Sequence, residues 1–272
     1  MSDFLDANKR LWNEWAGINA RSDFYQVEEF KQGGVRLRDY ELEEIGDVEG
    51  KDLLHLQCHF GLDTMSWARL GANVTGADFS EESIATARAL SHELGIPSRF
   101  VVSELTELPS KLQGDFDIVY TSRGVLGWLP DLDEWAAVAA HFLRPGGTFY
   151  ITEGHPMLWV FDDDDGVREL RFRYPYFRRT EPLGFPVRGS YADPTADVKE
   201  PVEYSWVHDL GEIVTAVAGA GLRIEFLHEF PFVEWPVPFL DRGEDGKWRV
   251  PEGNPAELPL FFSLKATKPA LE

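Results

Sequence analysis

The sequence LLHLQCHFG at residues 53–61 decides the fold, because a short apolar run passes directly into a turn that contains glycine. A helical stretch follows through Trp67 and Leu70, and a second apolar run at residues 72–77 ends at Asp78. Short strands that alternate with helices of about 10 to 15 residues are typical of βαβ units. The stretch therefore predicts the start of a parallel sheet.

The same alternation continues downstream as far as Gly154. Ser80 is placed to cap the helix after the second strand, since a serine side chain accepts a hydrogen bond from the first helical turn. The pattern predicts further strands at residues 99–102, 116–120 and 148–152, and a helix at residues 132–142. The strand–helix alternation resumes after residue 207. It predicts a helix at residues 208–220 that ends at Gly221, and strands at residues 222–230 and 258–267.

The segment between these two blocks differs in composition and predicts an inserted cap. It is rich in Pro, Asp and aromatic residues, and RFRY at residues 171–174 alternates with period two, which indicates an antiparallel hairpin. The start of the chain has a helical pattern. We predict an N-terminal helical lid at residues 1–40, an α/β core at residues 41–154 and 204–272, and a β-rich cap at residues 155–203.

The composition narrows the classes of function. The chain has 272 residues, with 26 Lys and Arg against 47 Asp and Glu, a formal net charge of −21. Nucleic acids and anionic membranes attract basic surfaces, so this charge argues against both as partners. The single cysteine, Cys58, excludes an intrachain disulfide and a cysteine-based zinc site, and we expect no metal. Without an apolar run of spanning length or a secretory signal, a cytoplasmic protein is expected.

The turn at residues 57–61 and the acid after the second strand predict a ligand that contains ribose. Doubly wound sheets bind ligands at the carboxyl ends of their strands, where a helix N-terminus offers free N–H groups. Asp78 follows Gly61 by 17 residues, a spacing at which an acid accepts hydrogen bonds from both ribose hydroxyls. Glu104, after the third strand, is placed to accept from a purine amine. Alternatively, Asp78 caps the next helix and Glu104 is a solvated loop acid.

Several motifs in this order resemble those of class I S-adenosylmethionine-dependent methyltransferases. They are LLHLQCHFG (53–61), VTGADFS (74–80), SELTELP (103–109), GDFDIVYTS (114–122) and LRPGGTFYIT (143–152). LQCHFGLDT, together with EGHP at 153–156 and WVHDLGEIV at 206–214, resembles a bacterial branch of the small-molecule type. The resemblance implies a Rossmann-like seven-stranded sheet in the order 3-2-1-4-5-7-6, with the last strand antiparallel, and S-adenosylmethionine as the cofactor.

The resemblance also implies a cofactor site, residue by residue. The turn that contains Gln57, His59 and Gly61 would face the methionine part of the cofactor. The other implied contacts are Asp78 at the ribose hydroxyls, Phe79 beside the adenine, Glu104 and Leu105 at the adenine edge, Thr121 and Ser122 near the methionine amine, and Trp12, Trp15 and Tyr25 in the N-terminal lid.

Three residues depart from the family's pattern. His55 stands where the family usually has an acid in the first strand, and Gln57 and His59 stand in place of two loop glycines. Side chains at these two positions either narrow the space for backbone approach or contact the cofactor themselves. Cys58 is interpreted as a small packing residue, because no partner base is evident.

The methyl acceptor needs a base if a proton must leave its hydroxyl, amine or thiol. Glu153 and His155 follow the fifth strand at the mouth of the expected crevice, and they are the candidate catalytic residues. The alternative for His155 is a structural role beside Pro156. Arg123 either binds an acidic acceptor or pairs with a nearby carboxylate, and the ion pair is favoured. His208 is expected at the N-terminus of its helix.

The cap concentrates basic and aromatic side chains in an otherwise acidic chain. Within 12 residues it contains Arg168, Arg171, Arg173, Arg178 and Arg179, interleaved with Phe172, Tyr174, Tyr176 and Phe177. One interpretation is a lid that binds a carboxylate or phosphate, because arginine makes paired contacts with both. The favoured interpretation is an amphipathic hairpin with its aromatics packed inward and its arginines solvated. A nucleic-acid surface is a distant third.

The sequence leaves three functions open. The leading hypothesis is an enzyme that transfers a methyl group from S-adenosylmethionine to a small-molecule acceptor. A non-catalytic interaction module on the same fold is motivated by Gln57 and His59. Nicotinamide-dependent hydride transfer shares the acid after the second strand but lacks the three-glycine turn. The aromatic segment at residues 230–235 marks either an acceptor pocket or the face of a possible homodimer.

Overall fold

The computed structural model describes residues 3–164, 166–254 and 257–270. The strands are β1 Asp52–Leu56, β2 Asn73–Asp78, β3 Ser98–Val102, β4 Phe116–Thr121, β5 Leu143–Gly154, β6 Leu183–Pro186, β7 Val202–Ser205, β8 Arg223–Phe230, β9 Asp241–Arg242, β10 Trp248–Arg249 and β11 Phe261–Thr267. The helices are α1 Asp3–Arg21, α2 Val27–Lys31, α3 Asp39–Ile45, α4 Leu62–Arg69, α5 Glu81–Leu94, α6 Leu108–Lys111, α7 Leu132–Phe142 and α8 Leu210–Gly219, with short 3-10 helices at Leu126–Trp128 and Leu158–Val160. Across these described ranges, no helix combines the length and the apolar character needed to cross a membrane.

The central sheet has seven strands in the order β3-β2-β1-β4-β5-β11-β8. β1 to β5 run parallel, and β11 pairs antiparallel with both β5 and β8. This order confirms the predicted topology, in which the last strand of the chain inserts between the fifth and the sixth strands of the sheet. All ligand-facing carboxyl ends of the parallel strands therefore lie along one edge.

Each inner strand is buried on both faces, which explains the uninterrupted apolar runs in the sequence. Leu54 of β1 belongs to the cluster that contains Trp135 of α7, whereas Leu53 belongs to the cluster that contains Trp67 of α4. Successive side chains of a strand point to opposite faces, so one run of leucines supplies two layers of helices. The sheet is thus covered on both sides.

The inserted segment departs from the prediction. The predicted antiparallel pairing is reduced to one bridge between Phe161 and Phe172, flanked by backbone hydrogen bonds from Asp162 N–H to Arg171 O at 2.8 Å and from Arg173 N–H to Val160 O at 2.9 Å. Arg171 and Arg173 are instead held by ion pairs with Asp162, while the ring of Phe172 is 71% exposed. The predicted inward packing of the aromatics is therefore wrong at this position, because the alternation follows ion pairing rather than burial. The antiparallel pair of the insert is β6 with β7.

The N-terminal helix closes over the carboxyl edge of the sheet. α1 packs on α5 and β7, and the Asn8 side chain exchanges two hydrogen bonds with the backbone of Tyr204. Trp12 and Trp15 of α1 contact Trp128, with ring centroids 5.2 and 6.1 Å apart. The lid and the insert therefore meet above the first βα turns.

Gly61 ends the first βα turn, where both the backbone conformation and the packing require glycine. Its φ is +80°, and a Cβ atom there would lie 2.6 Å from Cε1 of Phe100 and 3.2 Å from Cβ of Ala87. A side chain would be strained in this left-handed conformation and would also overlap the core beneath α5. The glycine is therefore needed for packing as well as for the turn.

The Gly61→Ala variant is expected to lose about 2–4 kcal/mol of unfolding free energy, because left-handed strain and overpacking add. The matched control is Gly95→Ala, where φ is +62° but no atom lies within 4 Å of the added Cβ. That variant is expected to lose only about 1 kcal/mol. Urea unfolding of the two variants measures the difference, and equal losses would contradict the packing constraint.

Candidate functional site

A cavity of about 970 Å³ lies at the carboxyl edge of the sheet, beneath α1 and the insert. Its lining includes the first βα turn, Asp78 and Glu104, which we call the first part. It also includes residues of β6 and β7 with Trp159 and Trp235, which we call the second part. Ligand sites of drug-sized molecules occupy about 300–1,000 Å³, so the cavity offers room for two small molecules side by side.

The first βα turn adopts left-handed backbone without the glycines that favour it. The φ angles are +58° at Gln57 and +50° at His59. A residue with a side chain loses roughly 1–2 kcal/mol in this conformation. The turn therefore has left-handed backbone like that of a glycine-rich loop. It also places the side chains of Gln57 and His59 at the cavity.

Asp78 holds this turn in place. Its Oδ2 accepts a hydrogen bond from the backbone N–H of His59 at 2.8 Å, and its Oδ1 accepts one from Ser80 N–H at 2.9 Å. Burial raises the pKa of Asp78 to about 6, against the lowering effect of these backbone donors. The helix cap itself is the Ser80 side chain, which accepts from Ser83 N–H at 3.0 Å. The carboxylate therefore remains at the cavity surface, and the capping alternative for Asp78 does not apply.

The His59 side chain connects the turn to the lid and the insert. Its Nδ1 lies 3.0 Å from Ser83 Oγ, and its Nε2 lies 3.2 Å from Asn19 Nδ2 in α1. Asn19 also donates to Tyr191 OH, which shares a hydrogen bond with Tyr25 OH. Burial lowers the pKa of His59 to about 3, so the ring is neutral at physiological pH. The Tyr25 ring contacts the His59 ring at 5.5 Å and lines the cavity as part of the lid.

Glu104 presents an unsatisfied acceptor to the cavity. Its Oε1 is buried and has no hydrogen-bond partner among the described residues. Burial raises the pKa of this carboxyl group, since no donor offsets the loss of water. Phe79 and Leu105 line the same part of the cavity. A ligand amine at this position would supply the missing donor.

The end of β4 places only one of the two predicted residues at the cavity. Ser122 lines it and bonds to Asp63 Oδ2 at 3.1 Å and to His55 Nε2 at 3.1 Å. Thr121 is buried behind the surface and does not line the cavity, so its predicted contact with a ligand is not supported. Burial lowers the pKa of His55 to about 4, and the neutral ring bridges Ser122 and Thr64.

Arg123 is an internal counter-ion, as the favoured interpretation predicted. Its guanidinium lies 3.3 Å from Glu41, 2.8 Å from Asp63 and 3.6 Å from Glu234. Burial opposes the charge, but the carboxylates of Glu41 and Asp63 overcome it and raise the pKa of Arg123 well above its ordinary value. This arginine therefore joins α3, α4 and the segment after β8.

Glu153 lines the cavity, but its carboxylate is hydrogen-bonded to backbone N–H groups. Its carboxylate accepts from the N–H groups of Gly124, Val125, Leu126 and Gly154, at 2.7 to 3.1 Å. Burial raises its pKa, while these four donors act in the opposite direction. The group shapes the loop after β4, and its role as a base has no support from these contacts.

His155 is a structural histidine, and its prediction as a catalytic base is contradicted. Its ring does not line the cavity. Nδ1 accepts from Met157 N–H at 2.9 Å, and Nε2 lies 3.0 Å from Glu229 on β8. The backbone N–H of His155 donates to Leu260 O at 3.0 Å, and its buried ring lies 6.2 Å from the ring of Phe262 on β11. His208 likewise bonds Leu129 O and Glu212 next to its helix.

Three arginines of the insert form ion pairs with protein carboxylates. Arg171 and Arg173 pair with Asp162, and Arg178 pairs with Glu212 at 2.7 Å. These three do not line the cavity. The aromatic segment at residues 230–235, in contrast, contributes Glu234 and Trp235 to the cavity wall, which favours its interpretation as part of a pocket.

Sequence reasoning missed several charged residues that line the cavity, and Arg36 and Glu203 are two of them. Arg36 lines it and donates to Gln26, with no carboxylate at ion-pair distance in the described ranges. Burial lowers its pKa. Glu203 on β7 lines the opposite part of the cavity. Neither lies in a recognisable motif, and only the period-two alternation of β7 offered a signal for Glu203.

Comparisons with known proteins agree with this geometry. Residues 53–147 match the family model of a methyltransferase domain. Ubiquinone biosynthesis O-methyltransferase from Cronobacter sakazakii is 33% identical over 113 residues, which are 42% of this chain and 46% of that protein. The same enzyme from Sodalis glossinidius is 32% identical over 124 residues, or 45% and 49% of the two chains. The chain spans about half the length of the curated relatives it matches.

Solved structures share the fold at low sequence identity. An S-adenosylmethionine-dependent methyltransferase from Mesorhizobium loti is 22% identical with a TM-score of 0.57, covering 84% of this chain and 96% of that one. One from Clostridium acetobutylicum is 13% identical with a TM-score of 0.55, covering 93% and 95%. These matches confirm the predicted fold and, with the family match, the predicted resemblance.

The Arg123→Ala variant is expected to lose about 3–5 kcal/mol of unfolding free energy, because the buried carboxylate of Glu41 and the partly buried carboxylate of Asp63 would lose their counter-ion. The control is Arg144→Ala, which breaks surface pairs with Asp52 and Asp117 and is expected to lose about 0–1 kcal/mol. Chemical unfolding compares the two. A loss at Arg123 no larger than that at Arg144 would show that the buried cluster does not depend on this charge.

Proposed function

We propose that this chain, which carries a class I S-adenosylmethionine-dependent methyltransferase domain, transfers a methyl group from S-adenosylmethionine to a small molecule held in the same cavity. The observation that carries the proposal is the single continuous cavity. Its first part is lined by the βα turn, Asp78 and Glu104, and its second part by the insert. Donor and acceptor would therefore meet without leaving the protein interior.

The residues present fit the cofactor. Oε1 of Gln57 and Oε1 of Glu104 are both buried without a donor in the described chain, and the cofactor brings an ammonium and an adenine amine. Arg36 offers a cation without a carboxylate partner, and the cofactor brings a carboxylate. Asp78 would accept from the ribose hydroxyls through the lone pairs that His59 and Ser80 leave free. The acceptors of the site therefore complement the donors of the cofactor, and Arg36 is opposite in charge to the cofactor's carboxylate.

The protein would contribute to the reaction by aligning the acceptor with the methyl group and by excluding water from the cavity. Bound S-adenosylmethionine supplies a methyl group on a sulfonium, which is already activated for displacement. Trp12, Trp15 and Trp128 pack edge to face at the cavity and shield it from solvent. Holding two reactants in line accounts for several kcal/mol of barrier reduction in such transfers, typically about 7–11 for well-oriented groups.

The acceptor is proposed to be a small molecule with an apolar body. The cavity wall in the second part includes Trp159, Phe161, Phe185 and Trp235. The curated relatives are named for O-methylation in ubiquinone biosynthesis, which makes a hydroxyl oxygen the first acceptor atom to test. Their identity with this chain is confined to less than half of either length, so it supports the reaction type rather than that substrate.

S-adenosylhomocysteine is expected to bind the wild-type protein with micromolar affinity, about −8 kcal/mol, and to bind more weakly as the pH falls through about 6. Above this pH Asp78 is ionised and accepts from the ribose, whereas below it the protonated group loses part of its acceptor capacity. Isothermal calorimetry between pH 5 and pH 8 measures the change, for which we expect about tenfold weaker binding at pH 5.

The variant Asp78→Asn tests the same contact at a single pH. It should weaken binding about tenfold at pH 8 and remove most of the pH dependence, since one acceptor oxygen becomes a donor. Asp197→Asn, an exposed aspartate that does not line the cavity, should change neither. Failure of a folded wild-type protein to bind S-adenosylhomocysteine at any pH would overturn the proposed function.

A further inference from the structure

We infer that the second part of the cavity binds an acceptor that carries a protonated amine on an apolar, ring-sized body, with Glu203 as the carboxylate that meets the amine. This inference rests on the proposed function, because it names the class of acceptor for the same site. It differs from the expectation raised by the arginine-rich insert, which pointed to an acidic acceptor.

The strand β7 places Glu203 in the cavity through its period-two alternation. Glu203 and Ser205 line the cavity. Tyr204, between them, points to the other face, where its ring lies 4.7 Å from Phe4 of α1. The strand β6 pairs Phe185 with Glu203 and adds an apolar side chain on the same face. The carboxylate is therefore framed by a rigid antiparallel pair.

Glu203 has no counter-ion of its own. Among the described residues, no cation lies at ion-pair distance from its carboxylate, and no donor is hydrogen-bonded to it. The other carboxylates described above behave differently: Glu234 pairs with Arg38 and Arg123, and Glu153 is held by backbone donors. A partly buried acid without a partner loses some of its hydration without compensation, and a ligand cation would offset that cost.

The surroundings of Glu203 are negative and aromatic. Burial, followed by repulsion from Asp163, raises the pKa of Glu203 to about 7. Asp163 also lines the cavity, and Tyr174 beside it contacts Phe185 at 5.5 Å. Arg188, which follows β6, also lines the cavity, but its side chain is exposed and forms no ion pair with either acid among the described residues. Arg173 acts against the burial that raises the pKa of Asp163, whereas no cation acts on Glu203 in this way, so Glu203 is the carboxylate that a bound ammonium would meet.

The walls suit an aromatic or similarly flat body. The rings of Trp159 and Trp235 are stacked, with centroids 6.4 Å apart and planes 11° apart. Phe161 and Phe239 pack against each other at 5.4 Å on the same side of the cavity. Aromatic faces attract cations as well as apolar groups, so they reinforce the preference for a positively charged ligand. Three of the arginines for which acceptor binding was the alternative interpretation, Arg171, Arg173 and Arg178, form ion pairs outside the cavity.

The test compares three small phenols whose para substituent is cationic, neutral or anionic: tyramine, 4-ethylphenol and 4-hydroxyphenylacetate. Each is titrated calorimetrically into the protein saturated with S-adenosylhomocysteine at pH 8. Tyramine is expected to bind at least tenfold more tightly than 4-ethylphenol, and 4-hydroxyphenylacetate more weakly than both. The preference for tyramine should shrink at pH 6, because Glu203 becomes protonated while the amine stays charged.

The variant Glu203→Gln should reduce the preference for tyramine about tenfold and leave the affinity for 4-ethylphenol within about twofold, since only the charge is removed. The matched control Glu181→Gln removes an exposed charge from the same insert, outside the cavity, and should leave the preference unchanged. A wild-type preference for the neutral or acidic phenol, a preference that survives Glu203→Gln, or no saturable binding of tyramine would each overturn the inference. Loss of S-adenosylhomocysteine binding in the wild type would instead overturn the proposed function.

Discussion

The carboxylate of Asp78 is the contact on which the site depends. It accepts N–H groups from both His59 and Ser80, so it fixes the first two βα turns relative to each other. The turn at Gln57 and His59 would otherwise relax from its left-handed backbone, whose cost is of the order of 1 kcal/mol per residue. A hydrogen bond to a charged acceptor contributes about 1.5–3 kcal/mol, which is enough to hold that conformation. The same carboxylate stays at the cavity surface, so structure and ligand binding share one group.

Two further polar clusters extend this arrangement toward the lid and the insert. The His59 ring reaches Asn19 of α1, which contacts both Ser190 and Tyr191 of the insert. Arg123 gathers carboxylates from α3, α4 and the segment after β8. Each cluster has a buried member, Asn19 in the first and Glu41 in the second, and a buried polar group is costly unless its partners are in place. These clusters join the elements that form the cavity walls. A substitution that breaks one cluster is therefore expected to shift more than one wall.

The sequence predicted the Ser80 cap and the cavity-facing positions of Asp78 and Glu104, because these follow from local pattern and from topology, whereas the sheet order was implied by the resemblance to class I methyltransferases. It did not predict that Glu153 would be enclosed by backbone donors or that His155 would point away, since both depend on the direction of the chain after Gly154. The hairpin expected at residues 171–174 forms only as one antiparallel bridge, between Phe161 and Phe172, for a related reason. The arginines of the alternating stretch form ion pairs with Asp162, and a periodicity cannot distinguish such pairing from burial.

The crystal structure of the complex with S-adenosylhomocysteine tests the account most directly. The account predicts ribose hydroxyls on the Asp78 carboxylate, the adenine amine at Glu104 and the amino-acid end between Gln57 and Arg36. It also predicts that the part of the cavity around Glu203 stays open for the acceptor. Density for the ligand away from Asp78, or density that fills the space beside Glu203, would contradict the assignment of the two parts of the cavity.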